Sequence, residues 1–301
     1  MAQLRHTRPT PGWWLRRLLV AGIASLVLVA GIDVARGGVT ALWLRYAGAA
    51  AYGAPGERFE IAAGHSLYLD CRGSGSPTLV LEAGMGSDSA TWSPVHDELA
   101  RVTRTCAYDR TGRGRSDSGS AGDLAGMSNE LAALLATAGE PAPYVVVGHS
   151  LGSVIGRVHA TLHPDDVAGL VLVDGFDPDI FDAAVLPHLG PIRDQYVGET
   201  ANIWGLIGSV ESIDVEASRA QLAASDVEGL PIEALVAPRI DSRLDAATNQ
   251  RVLDAMAAAY GALSPRRVTF TLAWGASHMI QFERPELVLD AARRIVATVR
   301  G

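Results

Sequence analysis

A Gly-x-Ser-x-Gly segment is the strongest chemical signal in the chain. Residues 148–152 read Gly-His-Ser-Leu-Gly, after the apolar run 144–147 and before a stretch of helical periodicity. A serine on such a strand-to-helix turn can act as a nucleophile, because the flanking glycines let neighbouring backbone approach where a Cβ would clash. We predict that Ser150 is the nucleophile and that the Leu151 N–H, at the helix start, donates to an oxyanion. The alternative is a glycine-rich turn without chemistry.

A serine hydroxyl needs a neighbouring imidazole to accept its proton, and in folds with this serine turn the histidine follows the last strand. His278 is the histidine at that place, because it comes after a strand-like segment and before the last helical stretch. His159 and His163 have the i, i+4 spacing of metal ligands, but Ala160 stands where a zinc protease has its glutamate. We expect both to be surface residues, and we expect His149 to pack or to line the pocket.

The acid that orients the histidine has two main candidates. Asp174 ends the apolar run 170–173, at the carboxyl edge where such sheets place functional residues. Asp241 follows a later strand-like segment, but it lies between two arginines, where a salt-bridged surface carboxylate is an easy alternative. We favour Asp174 over Asp241. Two further acids stay open as minor candidates, Asp177 and Asp179.

A second oxyanion donor is expected in the glycine-flanked turn 81–86, and we predict the backbone N–H of Met85. The pairs Gly84-x-Gly86 and Gly112-x-Gly114 superficially resemble a dinucleotide fingerprint, but each lacks the third glycine. We therefore predict no nucleotide, and the serine chemistry implies no other cofactor and no metal.

The elements that must position these residues alternate between short β-rich runs and helical stretches from about residue 57 onward. This pattern predicts one α/β domain, a mostly parallel sheet with helices on both faces. The predicted strands are 58–62, 66–71, 78–82, 104–108, 144–147, 169–173, 232–236 and 268–272. The clearest helices are 245–263 and 285–299, and an insertion at about 175–229 is a candidate lid.

Composition excludes several other kinds of chemistry. The chain has 301 residues and a formal charge of −8, and all 25 of its basic residues are arginines. A chain without lysine has no P-loop lysine, no pyridoxal Schiff base and no Ser-Lys dyad. Residues 46–301 carry 19 Arg against 32 acids, so we predict no nucleic-acid partner.

The N-terminal segment, residues 1–45, is basic and carries six Arg against one Asp. Residues 18–32 carry no charge, and Trp13 and Trp14 before them suit a membrane interface. This pattern predicts a membrane anchor with the N-terminus in the cytoplasm and the domain at 46–301 outside. The alternatives are a cleaved signal peptide with secretion, or an ordinary extension.

These motifs together resemble the α/β-hydrolase superfamily over residues 58–299. Besides 148–152, the segment 108–116, Tyr-Asp-Arg-Thr-Gly-Arg-Gly-Arg-Ser, is similar to the segment after strand four in esterases, dehalogenases and epoxide hydrolases of this superfamily. The chain also resembles bacterial membrane-anchored, esterase-like members. The resemblance implies an eight-stranded, mostly parallel sheet with a small cap insertion. Because dehalogenases and epoxide hydrolases use an aspartate nucleophile, Ser150 indicates hydrolysis of an ester, thioester, amide or carbon–carbon bond.

We therefore expect a serine hydrolase that cleaves small or lipid-like carboxylic esters, with Ser150, His278 and Asp174 as its triad. The alternatives are a carbon–carbon bond hydrolase and a catalytically silent binding or signalling protein on the same fold. In the strand order that the resemblance implies, Cys71 and Cys106 lie on neighbouring antiparallel strands. An exported domain would join them in a disulfide, and the alternative is two buried thiols.

Overall fold

The computed structural model describes residues 55–175, 182–183, 185–194, 197, 203–238 and 243–301. The predicted membrane segment at 1–45 lies outside the described residues. Among the helices that are described, none combines the length and the apolar character that crossing a membrane requires.

An eight-stranded sheet forms the centre of the fold, in the order β1-β2-β4-β3-β5-β6-β7-β8. The pairs β1·β2 and β2·β4 are antiparallel, and every other neighbouring pair is parallel. The strands are β1 (Glu57–Ala62), β2 (His65–Arg72), β3 (Thr78–Glu82), β4 (Thr105–Asp109), β5 (Tyr144–His149), β6 (Val167–Val173), β7 (Ile232–Val236) and β8 (Val268–Leu272). All eight predicted strands are thereby confirmed, with ends that differ by at most two residues.

Helices cover both faces of this sheet. They are α1 (His96–Ala100), α2 (Leu124–Ala138), α3 (Leu151–Leu162), α4 (Ile203–Glu211), α5 (Val215–Ala223), α6 (Ala246–Gly261), α7 (Ile280–Glu283) and α8 (Pro285–Arg300). Shorter 3-10 turns lie at Ser89–Trp92, Leu186–His188 and Gly190–Ile192. The predicted helix at 245–263 begins one residue later, because the Asp245 carboxylate caps it by accepting from the Thr248 N–H. Helices α4 and α5 belong to the predicted insertion.

The core is divided by the sheet, because successive side chains of a strand point to opposite faces. On β5, Val145 and Val147 join the cluster that α8 covers with Ile295 and Val296. Between them, Val146 joins a different cluster on the other face. The run of valines is therefore buried on both sides, as the continuous apolar pattern of a central parallel strand requires.

Two predictions about individual residues are decided by this packing. Cys71 and Cys106 face each other across β2 and β4 and form a disulfide, so the predicted bridge is confirmed. The expectation that His159 lies on the surface is wrong, because His159 is buried and its Nδ1 lies 2.9 Å from the Ser128 hydroxyl of α2. Helix α2 packs on the face of α3 that carries this histidine. His163, one turn later, is partly buried.

Candidate active site

Ser150 lies in the turn between β5 and α3, with φ +53° and ψ −119°. Residues other than glycine rarely adopt this backbone conformation. The two flanking glycines make the turn possible. A Cβ on Gly148 would lie 2.4 Å from the Gly152 carbonyl oxygen, and a Cβ on Gly152 would lie 2.2 Å from the Glu82 carbonyl oxygen. The Ser150 N–H donates to the Val173 carbonyl at 3.0 Å, which ties the turn to the end of β6.

Asp174 and His278 form a hydrogen-bonded pair at the same edge of the sheet. The His278 Nδ1–H donates to Asp174 Oδ2 at 2.6 Å. Asp174 Oδ1 accepts from the Ala237 N–H at 2.9 Å, and its own N–H donates to the Leu235 carbonyl. Asp174 is almost fully buried, whereas 46% of the His278 side chain is exposed. The bond to Leu235 therefore fixes the Asp174 backbone, the bond from Ala237 orients its carboxylate, and the carboxylate orients the imidazole through Nδ1.

His149 connects the serine turn to the segment that carries His278. Its Nε2–H donates to the His278 carbonyl oxygen at 2.8 Å, and the two rings lie 4.7 Å apart between centroids. Burial and, to a smaller extent, the neighbouring His278 lower the pKa of His149 to about 3, so the ring is neutral. A neutral ring that donates from Nε2 has an unprotonated Nδ1. His149 was expected to pack or to line the pocket, and it is buried. The sequence contained no signal for its contact with the His278 backbone.

The glycine-flanked turn after β3 lies beside the serine. A Cβ on Gly84 would lie 3.4 Å from Ser150 Cβ. The Met85 side chain packs against the apolar cluster that contains Leu151. Within the described part of the chain, the Met85 N–H has no hydrogen-bond acceptor, and the Leu151 N–H lies in the first turn of α3, where helical amides lack intrahelical partners. Of the two amides that the sequence predicts as oxyanion donors, the Leu151 amide directly follows Ser150, and the Met85 amide belongs to the turn beside it.

A buried ionic cluster contacts the glycine-flanked turn after β3. Arg110 Nη1 lies 2.7 Å from Glu82 Oε1, and Arg110 Nη2 lies 3.1 Å from Glu211 Oε1. Burial raises the pKa of Glu82, and the Arg110 guanidinium opposes that shift. Burial also lowers the pKa of Arg110, but the carboxylates of Glu82 and Glu211 more than offset it, so the guanidinium stays charged. In the sequence, Arg110 stands out only as part of the motif at 108–116, and no signal marks Glu211.

The other candidate acids, Asp177, Asp179 and Asp241, lie outside the described residues. One group of possible metal ligands occurs among the residues described, and it consists of Cys71, Cys106 and Glu140. The two sulfurs are joined in the disulfide, so neither is a thiolate that could bind a metal.

Parts of this chain are similar in sequence to known bacterial proteins. The YqjL protein of Bacillus subtilis strain 168 is 38% identical over 104 residues, which are 34% of this chain and 41% of YqjL. A Yersinia enterocolitica protein with the provisional name carbamate hydrolase RutD is 38% identical over 115 residues, which are 36% of this chain and 41% of RutD. The matches thus span about two fifths of the length of these curated relatives.

A solved structure resembles the whole fold. An esterase from Thermogutta terrifontis with bound malate superposes with a TM-score of 0.54 at 22% identity, covering 82% of this chain and 100% of the esterase. At this identity the likeness concerns the fold. The sequence model of the alpha/beta hydrolase family matches residues 79–291, from β3 to within α8. This match covers more than half of the chain, and the chain therefore belongs to the alpha/beta hydrolase family.

Proposed function

We propose that this protein is a serine hydrolase that cleaves carboxylic esters through an acyl-enzyme intermediate, with Ser150, His278 and Asp174 as its triad. The observation that carries the proposal is the 2.6 Å bond from His278 Nδ1 to a buried carboxylate, at the sheet edge where the serine turn lies. The bond holds the imidazole in the tautomer whose Nε2 can accept a proton. Family membership supports the same reading.

In the first half-reaction, the Ser150 Oγ attacks the ester carbonyl carbon while its proton moves to His278 Nε2. Asp174 stays ionised and stabilises the imidazolium that forms. The tetrahedral intermediate collapses when the ester C–O bond breaks, and the leaving alkoxide takes the proton from Nε2. In the second half-reaction, water gives a proton to Nε2 and attacks the acyl-enzyme. The bond from the acyl carbon to Ser150 Oγ then breaks, Oγ takes the proton from Nε2, and the carboxylic acid leaves.

The Met85 and Leu151 amides are the proposed donors to the oxyanion. One directly follows Ser150 and the other belongs to the turn beside it. Backbone N–H groups held by folded structure need no reorganisation when the negative charge develops. The Leu151 amide lies at the N-terminal end of α3, where the helix dipole also stabilises negative charge on the oxyanion. Because both donors are backbone groups, side-chain substitution at Met85 is expected to change substrate fit more than oxyanion binding.

A hydrolysis assay with the purified chain tests the proposal. The parent is expected to hydrolyse p-nitrophenyl esters and to react covalently with a fluorophosphonate probe, whereas Ser150→Ala does neither. A carbamate belongs in the same substrate panel, because the similarity to RutD favours that second class and a carbamate presents the same carbonyl to the serine. A chain that binds the esters without turnover and without labelling would instead be a silent binding protein, and the proposal would be wrong.

We also propose that residues 1–45 hold the protein at the cytoplasmic membrane with the hydrolase domain outside, or direct its secretion. The basic, apolar sequence of this segment and the Cys71–Cys106 disulfide support the proposal, because structural disulfides persist in oxidising compartments. Added protease should degrade the hydrolase domain in spheroplasts whose membrane is intact. Full protection of the domain would contradict the proposal.

A further inference from the structure

The guanidinium of Arg110 binds the backbone of the glycine-flanked turn as well as the two acids. Its Nη1 donates to the Ala83 carbonyl at 2.6 Å, and its Nη2 donates to the Gly84 carbonyl at 2.9 Å. The side chain is 3% exposed, and Glu82 holds it from the other side with a carboxylate that also accepts from the Tyr108 hydroxyl. The five donors of a guanidinium make such simultaneous contacts possible, whereas a lysine ammonium lacks the fork geometry.

Glu211 contacts the same turn from the insertion. It is the last residue of α4, its side chain is 1% exposed, and its Oε1 accepts from the Gly86 N–H at 2.6 Å. The same carboxylate pairs with Arg110, and its Oε2 lies 3.4 Å from Arg113 Nε. Arg113 also donates to the Val210 carbonyl at the end of α4. One carboxylate thus joins the insertion to the amide that follows Met85.

These contacts determine how the Met85 amide is oriented. A trans peptide is planar, and its C=O and N–H point in opposite directions. Arg110 holds the Gly84 carbonyl, so it also sets the direction of the Met85 N–H in the same peptide plane. Glu211 holds the Gly86 N–H and thereby sets the next peptide plane, which carries the Met85 carbonyl. Both planes that flank the Met85 Cα are therefore held by buried side chains.

We propose that Arg110 and Glu211 are positioning residues for the oxyanion donor at Met85, and that docking of the insertion through Glu211 completes this donor. The proposal rests on the proposed function, since it assigns a role within the same site. In this proposal the insertion contributes to the oxyanion site, because withdrawal of α4 would remove the Glu211 carboxylate from both the Gly86 N–H and Arg110. Substrate contacts with the insertion would then be coupled to transition-state stabilisation.

Substitution of Glu211 tests the proposal without leaving an unpaired buried cation, because Arg110 keeps Glu82. Glu211→Ala removes the acceptor of the Gly86 N–H, and Glu211→Gln retains one oxygen for it. Loss of an oxyanion donor costs about 10²–10³ in kcat, so displacement of one is expected to cost about 10- to 100-fold in Glu211→Ala, with KM changed less than about threefold. Glu211→Gln should recover most of this loss, and the pH profile of kcat/KM should keep its shape, because His278 and Asp174 are untouched.

The matched control is Glu233→Ala, which breaks a 2.7 Å pair between a buried carboxylate on β7 and Arg294, away from the turn. Deuterium exchange of the peptide that contains residues 84–86 supplies a readout independent of turnover. We expect exchange there to accelerate in Glu211→Ala and to stay unchanged in Glu233→Ala. An active parent whose Glu211 variants match the control in kcat and in exchange refutes the positioning role alone. If the parent itself hydrolyses no ester or carbamate, the proposed function is refuted and the oxyanion role with it.

Discussion

Asp174→Asn changes one atom of the hydrogen-bonded pair at the sheet edge, and the structure predicts how the substituted side chain orients. The amide oxygen can replace Oδ1 as acceptor of the Ala237 N–H, at 2.9 Å in the parent. The amide NH₂ then faces His278 Nδ1 in place of Oδ2, so Nδ1 must accept and Nε2 must carry the proton. An imidazole in this tautomer cannot take a proton from Ser150.

Part of the expected loss in rate follows from the alternative orientation of the amide. Flipping the amide restores the productive tautomer, but it leaves the buried Ala237 N–H facing a donor, at a cost of about 1–3 kcal/mol. That cost corresponds to about 5- to 160-fold in rate at about 1.36 kcal/mol per factor of ten. The carboxylate charge that stabilises the imidazolium is lost in either orientation. The same replacement in serine proteases costs about 10⁴ in kcat, which we expect here as well.

The assay is p-nitrophenyl ester hydrolysis by Asp174→Asn and Asp241→Asn side by side, with thermal unfolding of both as a check on folding. We expect the large loss at Asp174 and a change of less than about twofold at Asp241, because the sequence favours a salt-bridged surface carboxylate as its alternative role. A large loss at Asp241 with little at Asp174 would refute the assignment of the acid, and with it the argument from the Ala237 amide.

Three further predictions concern other parts of the described chain. Ser150→Ala should lose activity by orders of magnitude while its unfolding temperature does not fall, because no buried contact is removed; turnover equal to that of the parent would contradict this. Denatured protein isolated without reductant should titrate no free thiols, and Cys71→Ser with Cys106→Ser should lower the free energy of unfolding by about 3–4 kcal/mol; two titratable thiols would exclude the bridge. Because the pKa of His149 is lowered to about 3, the unfolded chain binds a proton between about pH 6.5 and 3 that the folded chain does not. His149 therefore lowers stability as pH falls through that range, and urea unfolding of His149→Gln should show a shallower loss between pH 7 and 4; equal slopes for parent and variant would contradict the burial argument.

Local sequence signals predicted most of the fold, because the strands are short apolar runs that the sheet buries. The strands at 78–82, 232–236 and 268–272 have the bounds that the sequence predicts. Position along the chain was also enough to select His278 and Asp174, since His278 follows the last strand and Asp174 directly follows β6. Their contact is observed, whereas their catalytic roles remain predictions.

Contacts between distant segments could not be predicted in this way. The Gly86 N–H and the Glu211 carboxylate are 125 residues apart in the chain, and nothing in the sequence of α4 distinguishes a buried acid from an exposed one. The prediction that His159 lies on the surface was wrong for a related reason. The i, i+4 spacing indicates that His159 and His163 share one face of α3. It does not indicate that α2 packs on that face, because this packing depends on the sheet order. Such contacts follow from topology, which single segments do not encode.

The backbone conformation at Ser150 has a consequence for how this chain can evolve. A residue at φ +53° and ψ −119° costs about 1–3 kcal/mol, and glycine at this position would remove that cost in exchange for about 0.5–1 kcal/mol of additional unfolded-chain entropy. Replacement of Ser150, the proposed nucleophile, by glycine is therefore neutral or favourable for stability. In a lineage that used this fold only for binding, stability would not oppose replacement of this serine by glycine. The strained serine is the residue that only continued selection for turnover would preserve.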